Sequence, residues 1–201
     1  MGIDASLRER WDSLDDFDLG RALDAGHSPF GLTPDGLKDY RAIEIAVALS
    51  RIDVSGVDFS YGRTGPTGQL GGGVRFLGCR FCHFTCDKTM SGEFLECDFA
   101  AADLSSAVLL GRVGESRFEG AKLVGVRASQ VTFERCSFKG ASLRKASFYD
   151  CRFKSCVFDG SHWVSGSTAG SLFDDCSFSD IRFKRMVTVR TRGLPPELTQ
   201  G

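Results

Sequence analysis

A chain of 201 residues with 25 Lys and Arg against 26 Asp and Glu has a net charge of −1, so no global field argues for nucleic acid or for an anionic membrane surface. The length allows one domain, or one domain with a small appendage, and no apolar run reaches the roughly 18 residues of a membrane span. The opening MGIDASLRERW lacks the basic segment and apolar core of a secretory signal, and the expected location is cytoplasmic.

Residues 1–50 predict a helical N-terminal cap. Ser6 and Glu9 make a capping-box spacing, and Leu7, Trp11 and Leu14 fall on one side of the helix it opens. Phe17, Leu19 and Leu23 mark a second segment, closed at Gly26, where a left-handed residue would end it. Thr33 followed by Pro34 reads as an N-cap with proline at the first helical position, opening a helix to about Leu49. This front holds ten acids against five bases, a net −5, which leaves twenty bases and sixteen acids for the remainder.

A different regime begins at residue 51 and runs to 188. Ile52-Asp-Val54 and Val57-Asp-Phe59 start it, and Tyr61–Gly73, with six glycines and a proline, predicts an inserted loop over 61–73. Val74/Phe76 and Cys79/Phe81 resume the pattern, which steps by three to Phe84, by five through Thr89, Phe94, Phe99, Leu104 and Leu109, and by four to Val113. Those two slips predict a bulge or bend, and threonines at the centres, Thr89 and Thr168, predict weak points in the core. From Val113 to Phe183 every fifth residue is a centre, mostly Phe or Leu, and two residues before each stands something small or compact such as Ala121, Cys136, Ala141 or Cys156. Neither the helical period of 3.6 nor the strand period of 2.0 places residues five apart on one side. A fixed period over fifteen units means a repeat architecture, in which each unit buries its apolar residues by stacking on its neighbours. Residues 189–201 form a C-terminal tail.

Seven of the eight cysteines, Cys79, Cys82, Cys97, Cys136, Cys151, Cys156 and Cys176, stand in the small slot, where a free thiol buries as a small hydrophobe. The weak metal candidate is the cluster Cys79, Cys82, His83 and Cys86. A structural zinc site usually draws its ligands from two separated pairs, and no second pair follows. The expectation is therefore no metal, with Cys79 and Cys82 turned inward and His83 and Cys86 outward.

The units CDFAA (97–101), ADLSS (102–106), CSFKG (136–140), ASLRK (141–145) and ASFYD (146–150) resemble the pentapeptide-repeat consensus A-[DN]-L-x-x, and the resemblance covers about residues 52–188. It implies a mainly β fold, a right-handed quadrilateral β-helix (a pentapeptide-repeat solenoid) of four pentads per coil, carrying the N-terminal α-helical cap. A twenty-residue coil predicts columns about 4.8 Å apart. These are Phe118, Phe138, Phe158 and Phe178; Leu123, Leu143, Trp163 and Phe183; Ala128, Phe148, Thr168 and Thr188; and Val113, Phe133, Phe153 and Phe173.

The same stacking sorts the surface. The second column's face gathers Lys122, Arg144, Lys145, His162, Arg182, Lys184 and Arg185 with no acid in its four pentads, a +6 stripe. The expected function is therefore a non-enzymatic interaction module that docks a protein or other anionic partner, with no catalytic residues and no cofactor. His27, His83 and His162 have no nucleophile motif beside them, and a core filled with phenylalanine leaves no small-molecule cavity. The family resemblance supplies the alternative, a topoisomerase-binding protein protecting DNA gyrase from quinolone-like poisons or toxins through a DNA-like acidic surface. The basic stripe departs from that pattern. The resemblance also implies a homodimer through C-terminal ends as one state open to this chain.

Overall fold

The computed structural model describes residues 31–32, 38–40, 55–56, 59–60, 63–64 and 69–199. They form a mainly β solenoid of about six turns. From Glu115 to Arg190, every fifth residue has a positive φ: glycines at 120, 125, 140, 160 and 170, and left-handed non-glycine residues at the rest, Gln130 at 57° and Lys145 at 56° among them. Extended residues followed by one left-handed residue turn the chain through a corner, and that is the physical origin of the period of five. The strain of left-handed L-residues is offset by what the corner provides. Its N–H donates to the next coil, as from Gln130 to the Tyr149 carbonyl (2.9 Å) and from Arg135 to the Lys154 carbonyl (2.8 Å).

Four sides return the chain over itself. Side one is centred on Phe118, side two on Leu123, side three on Ala128 and side four on Phe133. Strands β7 (Arg127–Ser129) and β9 (Ser147–Tyr149) stack in parallel on side three. Strands β8 (Thr132–Glu134), β10 (Arg152–Lys154) and β12 (Leu172–Asp174) stack on side four. On side two, β11 (His162–Val164) pairs with β13 (Arg182–Lys184). The registers are twenty residues apart, so identical side chains pile in ranks. Side one stacks Phe59, Phe81, Phe99, Phe118, Phe138, Phe158 and Phe178, with neighbouring ring centroids 4.7–5.4 Å apart and planes within 11°. The expected first column is therefore present, extended by three rings toward the N-terminus. Side four stacks Phe133, Phe153 and Phe173 at 4.9 and 4.7 Å.

The two coils that precede the unbroken run are shorter. Phe76 pairs with Phe94, eighteen residues on, and Phe94 with Val113, nineteen on. Strands β4 (Gln69–Leu77), β5 (Thr89–Leu95) and β6 (Val108–Gly114) run straight through the corner that later coils turn at Gln130. The step of four at Val113 is this missing corner residue, and Gly111 fills the place at φ +99°, where a Cβ would stand 2.2 Å from the Gly92 carbonyl oxygen.

Several expectations are corrected. The step of three at Phe84 is not a slip. The bridge Thr85↔Asp103 places Phe84 in the small slot and Cys86 at the centre, so large and small have exchanged places while the register of five holds. The next centre is Met90, which faces Leu109, and not Thr89; the shortening lies between Cys86, Met90 and Phe94. Thr168 is a buried centre, as expected, but its hydroxyl meets that of Thr191 at 3.1 Å, so the polar atom is satisfied. Within the expected loop 61–73, Arg63–Thr64 is strand β3 and the ladder resumes at Gln69, which pairs with Thr89. The inserted residues of that ladder are Gly72 and Gly73, a glycine bulge between Gly71 and Val74. Lys38–Tyr40 is strand β2, not helix, because it pairs with β3 on one side and with β1 (Gly31–Leu32) on the other. Ladder hydrogen bonds outweigh a helix propensity worth tenths of a kcal/mol per residue. The other helix expectations in residues 1–50 lie outside the described residues. The coil runs past 188 to Arg192, whose N–H donates to the Ser171 carbonyl at 3.0 Å, and a short helix α1 (Pro196–Thr199) follows.

Candidate docking face

On side two the outward positions are set by the pentad: the residues flanking each buried centre and the left-handed corner that follows. Lys122, Ser142, His162 and Arg182 form one outward column, through the bridges Lys122↔Ser142 and Ser142↔His162 and the pairing His162↔Arg182. Arg144, Val164 and Lys184 form the second, and the corners Lys145, Ser165 and Arg185, at φ 56°, 59° and 52°, form the third. All seven predicted stripe residues are exposed on one side.

Ion pairs divide the stripe. Lys122 is paired to Asp103 one coil above, Nζ to carboxylate at 3.4 Å. Burial works to raise the Asp103 carboxyl, but hydrogen bonds from Ser105 and the Lys122 charge outweigh it and hold the group below its ordinary range. On side one the Arg117 guanidinium bonds Asp98, which raises its own pKa and satisfies a nearly buried carboxylate. Side four carries a network in which Glu134 accepts from Arg112 (3.0 Å) and Arg135 (2.9 Å), and Arg135 reaches Glu115 (2.5 Å). By contrast, among the described residues Arg144, Lys145, Arg182, Lys184 and Arg185 have no carboxylate within 4.0 Å. Five uncompensated cations thus lie on one side of three successive coils.

The sulfur-rich stretch does not converge. Cys79 is a buried slot residue, as expected. Cys82 lies half-buried at the surface rather than inward, and its thiol is raised by burial and by Asp98. His83 occupies an exposed corner at φ 55°, and Cys86 is fully buried as a core centre rather than outward. The exchange with Phe84 explains both corrected cysteines.

Side three was missed by reasoning from charge. Leu110, Tyr149, Val187 and Val189 are its exposed apolar residues, at 41, 49, 51 and 63 %. Ser129, Ser147 and Ser167 stand among them, with the cations Arg127 and, at the last corner, Arg190, whose guanidinium reaches the Tyr149 hydroxyl at 3.5 Å. The signal in the sequence is the poverty of charge at the outward positions of those pentads.

Among the described residues no helix is long and apolar enough to cross a membrane. A family model described as pentapeptide repeats matches residues 121–160 in eight copies. The fold is similar to a solved structure of trypsin-treated QnrB1, a plasmid-mediated fluoroquinolone resistance protein, at 16 % identity over 68 % of this chain and 70 % of that one, with a TM-score of 0.46. It is also similar to HetL, a pentapeptide repeat protein involved in heterocyst differentiation regulation in the cyanobacterium Nostoc sp. strain PCC 7120, at 10 % identity over 68 % of this chain and 84 % of that one, with a TM-score of 0.22. No curated protein matches the chain. The eight matched repeats over residues 121–160, the left-handed corner at every fifth residue and the phenylalanine ranks together show that this chain carries pentapeptide repeats and folds as a pentapeptide-repeat solenoid.

Proposed function

We propose that this protein is a non-enzymatic interaction module whose rigid side two docks an anionic macromolecular partner. One observation carries the proposal: Arg144, Lys145, Arg182, Lys184 and Arg185 are exposed together without counter-charges, whereas Lys122 on the same side is matched by Asp103. Uncompensated like charges repel, by about 1 kcal/mol per close pair at most when solvated, and an acidic partner removes that cost while gaining complementary attraction. The sheet beneath is held by backbone ladders and stacked rings, so the backbone has little ordering left to lose on binding and only the Lys and Arg side chains must be fixed.

The test is affinity capture from the native host with the wild-type chain and with Arg144, Lys145, Arg182 and Lys184 reversed to glutamate. Selective loss of one partner supports the proposal, and identical partner lists overturn it. Topoisomerase protection, the alternative implied by the family, is checked in the same variants by gyrase supercoiling with and without a quinolone. The positive side two lacks the negative surface that DNA mimicry uses, so the expected result is no protection.

A further inference from the structure

Resting on that reading of side two, we infer that the anionic partner is an acidic polypeptide segment bound in extended form along β11, and not a nucleic acid. Three successive coils present their outward residues in the order cationic, neutral, cationic. The first row is Ser142, Arg144 and Lys145; the second is His162, Val164 and Ser165; the third is Arg182, Lys184 and Arg185. The registers are direct, with Val164 opposite Lys184 and the Lys145 N–H donating to the Val164 carbonyl at 2.8 Å. Two strand spacings separate the cationic rows, about 9.6 Å.

An extended polypeptide sends successive side chains to opposite edges. Laid along the neutral row, it directs consecutive carboxylates to the two cationic rows in turn, Arg144 and Lys145 on one edge and Arg182, Lys184 and Arg185 on the other. Its backbone then lies over the uncharged row at Val164, and a run of consecutive acids fits this arrangement.

A nucleic acid fits it poorly. A single strand carries one line of phosphates and would neutralise one row at a time. A duplex would overhang side two onto Asp159 and Asp180 of side one. The track does not continue toward the N-terminus either, because Lys122 is held by Asp103. Affinity for a phosphate backbone grows with the number of cations along its path, and this path is three coils long.

The experiment is fluorescence anisotropy at low salt with the full chain and two labelled probes. One is a short peptide of consecutive aspartates; the other is short DNA, single-stranded and duplex. The inference expects the peptide to bind at least roughly tenfold more tightly than either DNA. Arg144→Glu with Lys184→Glu, and separately Val164→Glu, should each weaken the peptide by a similar factor. Arg127→Glu on side three should leave it unchanged, and melting curves confirm that every variant folds. DNA binding equal to or tighter than the peptide, and lost on reversal, overturns the inference while leaving side two as a docking face. Binding of neither probe, or binding indifferent to reversal, overturns both.

Discussion

Phe84 and Cys86 have exchanged the places that small and large residues hold in later coils of side two. Phe84 aligns with Ala102 and Ala121, and Cys86 with Leu104 and Leu123, through the bridges Thr85↔Asp103↔Lys122. Both are fully buried, and the Phe84 ring lies edge-on to Phe81 at 5.3 Å. Slot and centre are both still filled by buried apolar side chains, so the neighbouring coils close on them. Phe84→Ala should cost about 3–5 kcal/mol as a large-to-small core change, and Cys86→Leu alone about 1–3 kcal/mol through overpacking. The double variant restores the order of the later coils and should recover at least half of the summed loss. Urea unfolding of the four proteins in a double-mutant cycle measures it, and additive losses would show that the two positions do not share space.

Two glycines at corners should respond differently to alanine. At Gly111 an added Cβ stands 2.2 Å from the Gly92 carbonyl oxygen, at φ +99°, so the ladder between β5 and β6 must open. At Gly140 the added Cβ meets nothing within 4 Å, and φ +66° is close to the value Lys145 and Arg185 adopt at neighbouring corners. Gly140→Ala should cost about 1 kcal/mol and Gly111→Ala about 3 kcal/mol or more. Melting temperatures of the two variants give the comparison, and equal shifts would sink it.

Trp163 takes the place of leucine in the side-two column, beneath Leu143, and its Nε1–H is buried with no hydrogen-bond partner among the described residues. It packs against Phe148 at 5.4 Å and Phe158 at 5.2 Å. Trp163→Phe deletes an unsatisfied donor, whose burial costs about 1–3 kcal/mol, and gives up a similar amount of packing. The expected net change in unfolding free energy is within about 1 kcal/mol of zero. A loss above about 3 kcal/mol would mean that the indole N–H is satisfied.

The buried thiols make stability fall in alkali. Burial pushes Cys151 up to about 11, and the neighbouring Cys136 thiol is the largest influence raising Cys156 to about 12. Cys97 is raised well above its ordinary value by burial. Each folded value lies above the unfolded one, near 9.0, so the contribution is intact below pH 9 and is lost as pH rises toward the folded values. The loss approaches about 1.4 kcal/mol per pH unit per thiol in that window. Melting temperature measured from pH 8 to 11 should drop steeply above about pH 9, and Cys151→Ala with Cys156→Ala should flatten the curve. Native protein should also resist alkylation at these two thiols until it is unfolded.

From the sequence alone came the period, the coil length of twenty over the unbroken run, the Phe118 rank and the gathering of Lys122, Arg144, Lys145, His162, Arg182, Lys184 and Arg185 on one side. These are legible because a repeat makes local spacing equivalent to three-dimensional register. Where the repeat is irregular that equivalence fails. Phe84 and Cys86 could not be ordered by size, since a slot and a centre are both interior and only the backbone bridges to Asp103 tell them apart. Met90 displaced Thr89, and the strand at Gln69 entered the glycine-rich stretch, because pairing to the next coil outweighs local propensity. The charge pattern shows the same division. Residue types determined how many cations share side two, but only the coil-to-coil contacts decided that Asp103 neutralises Lys122 and leaves the other five uncompensated, because an ion pair depends on a distance that spacing along the chain does not encode.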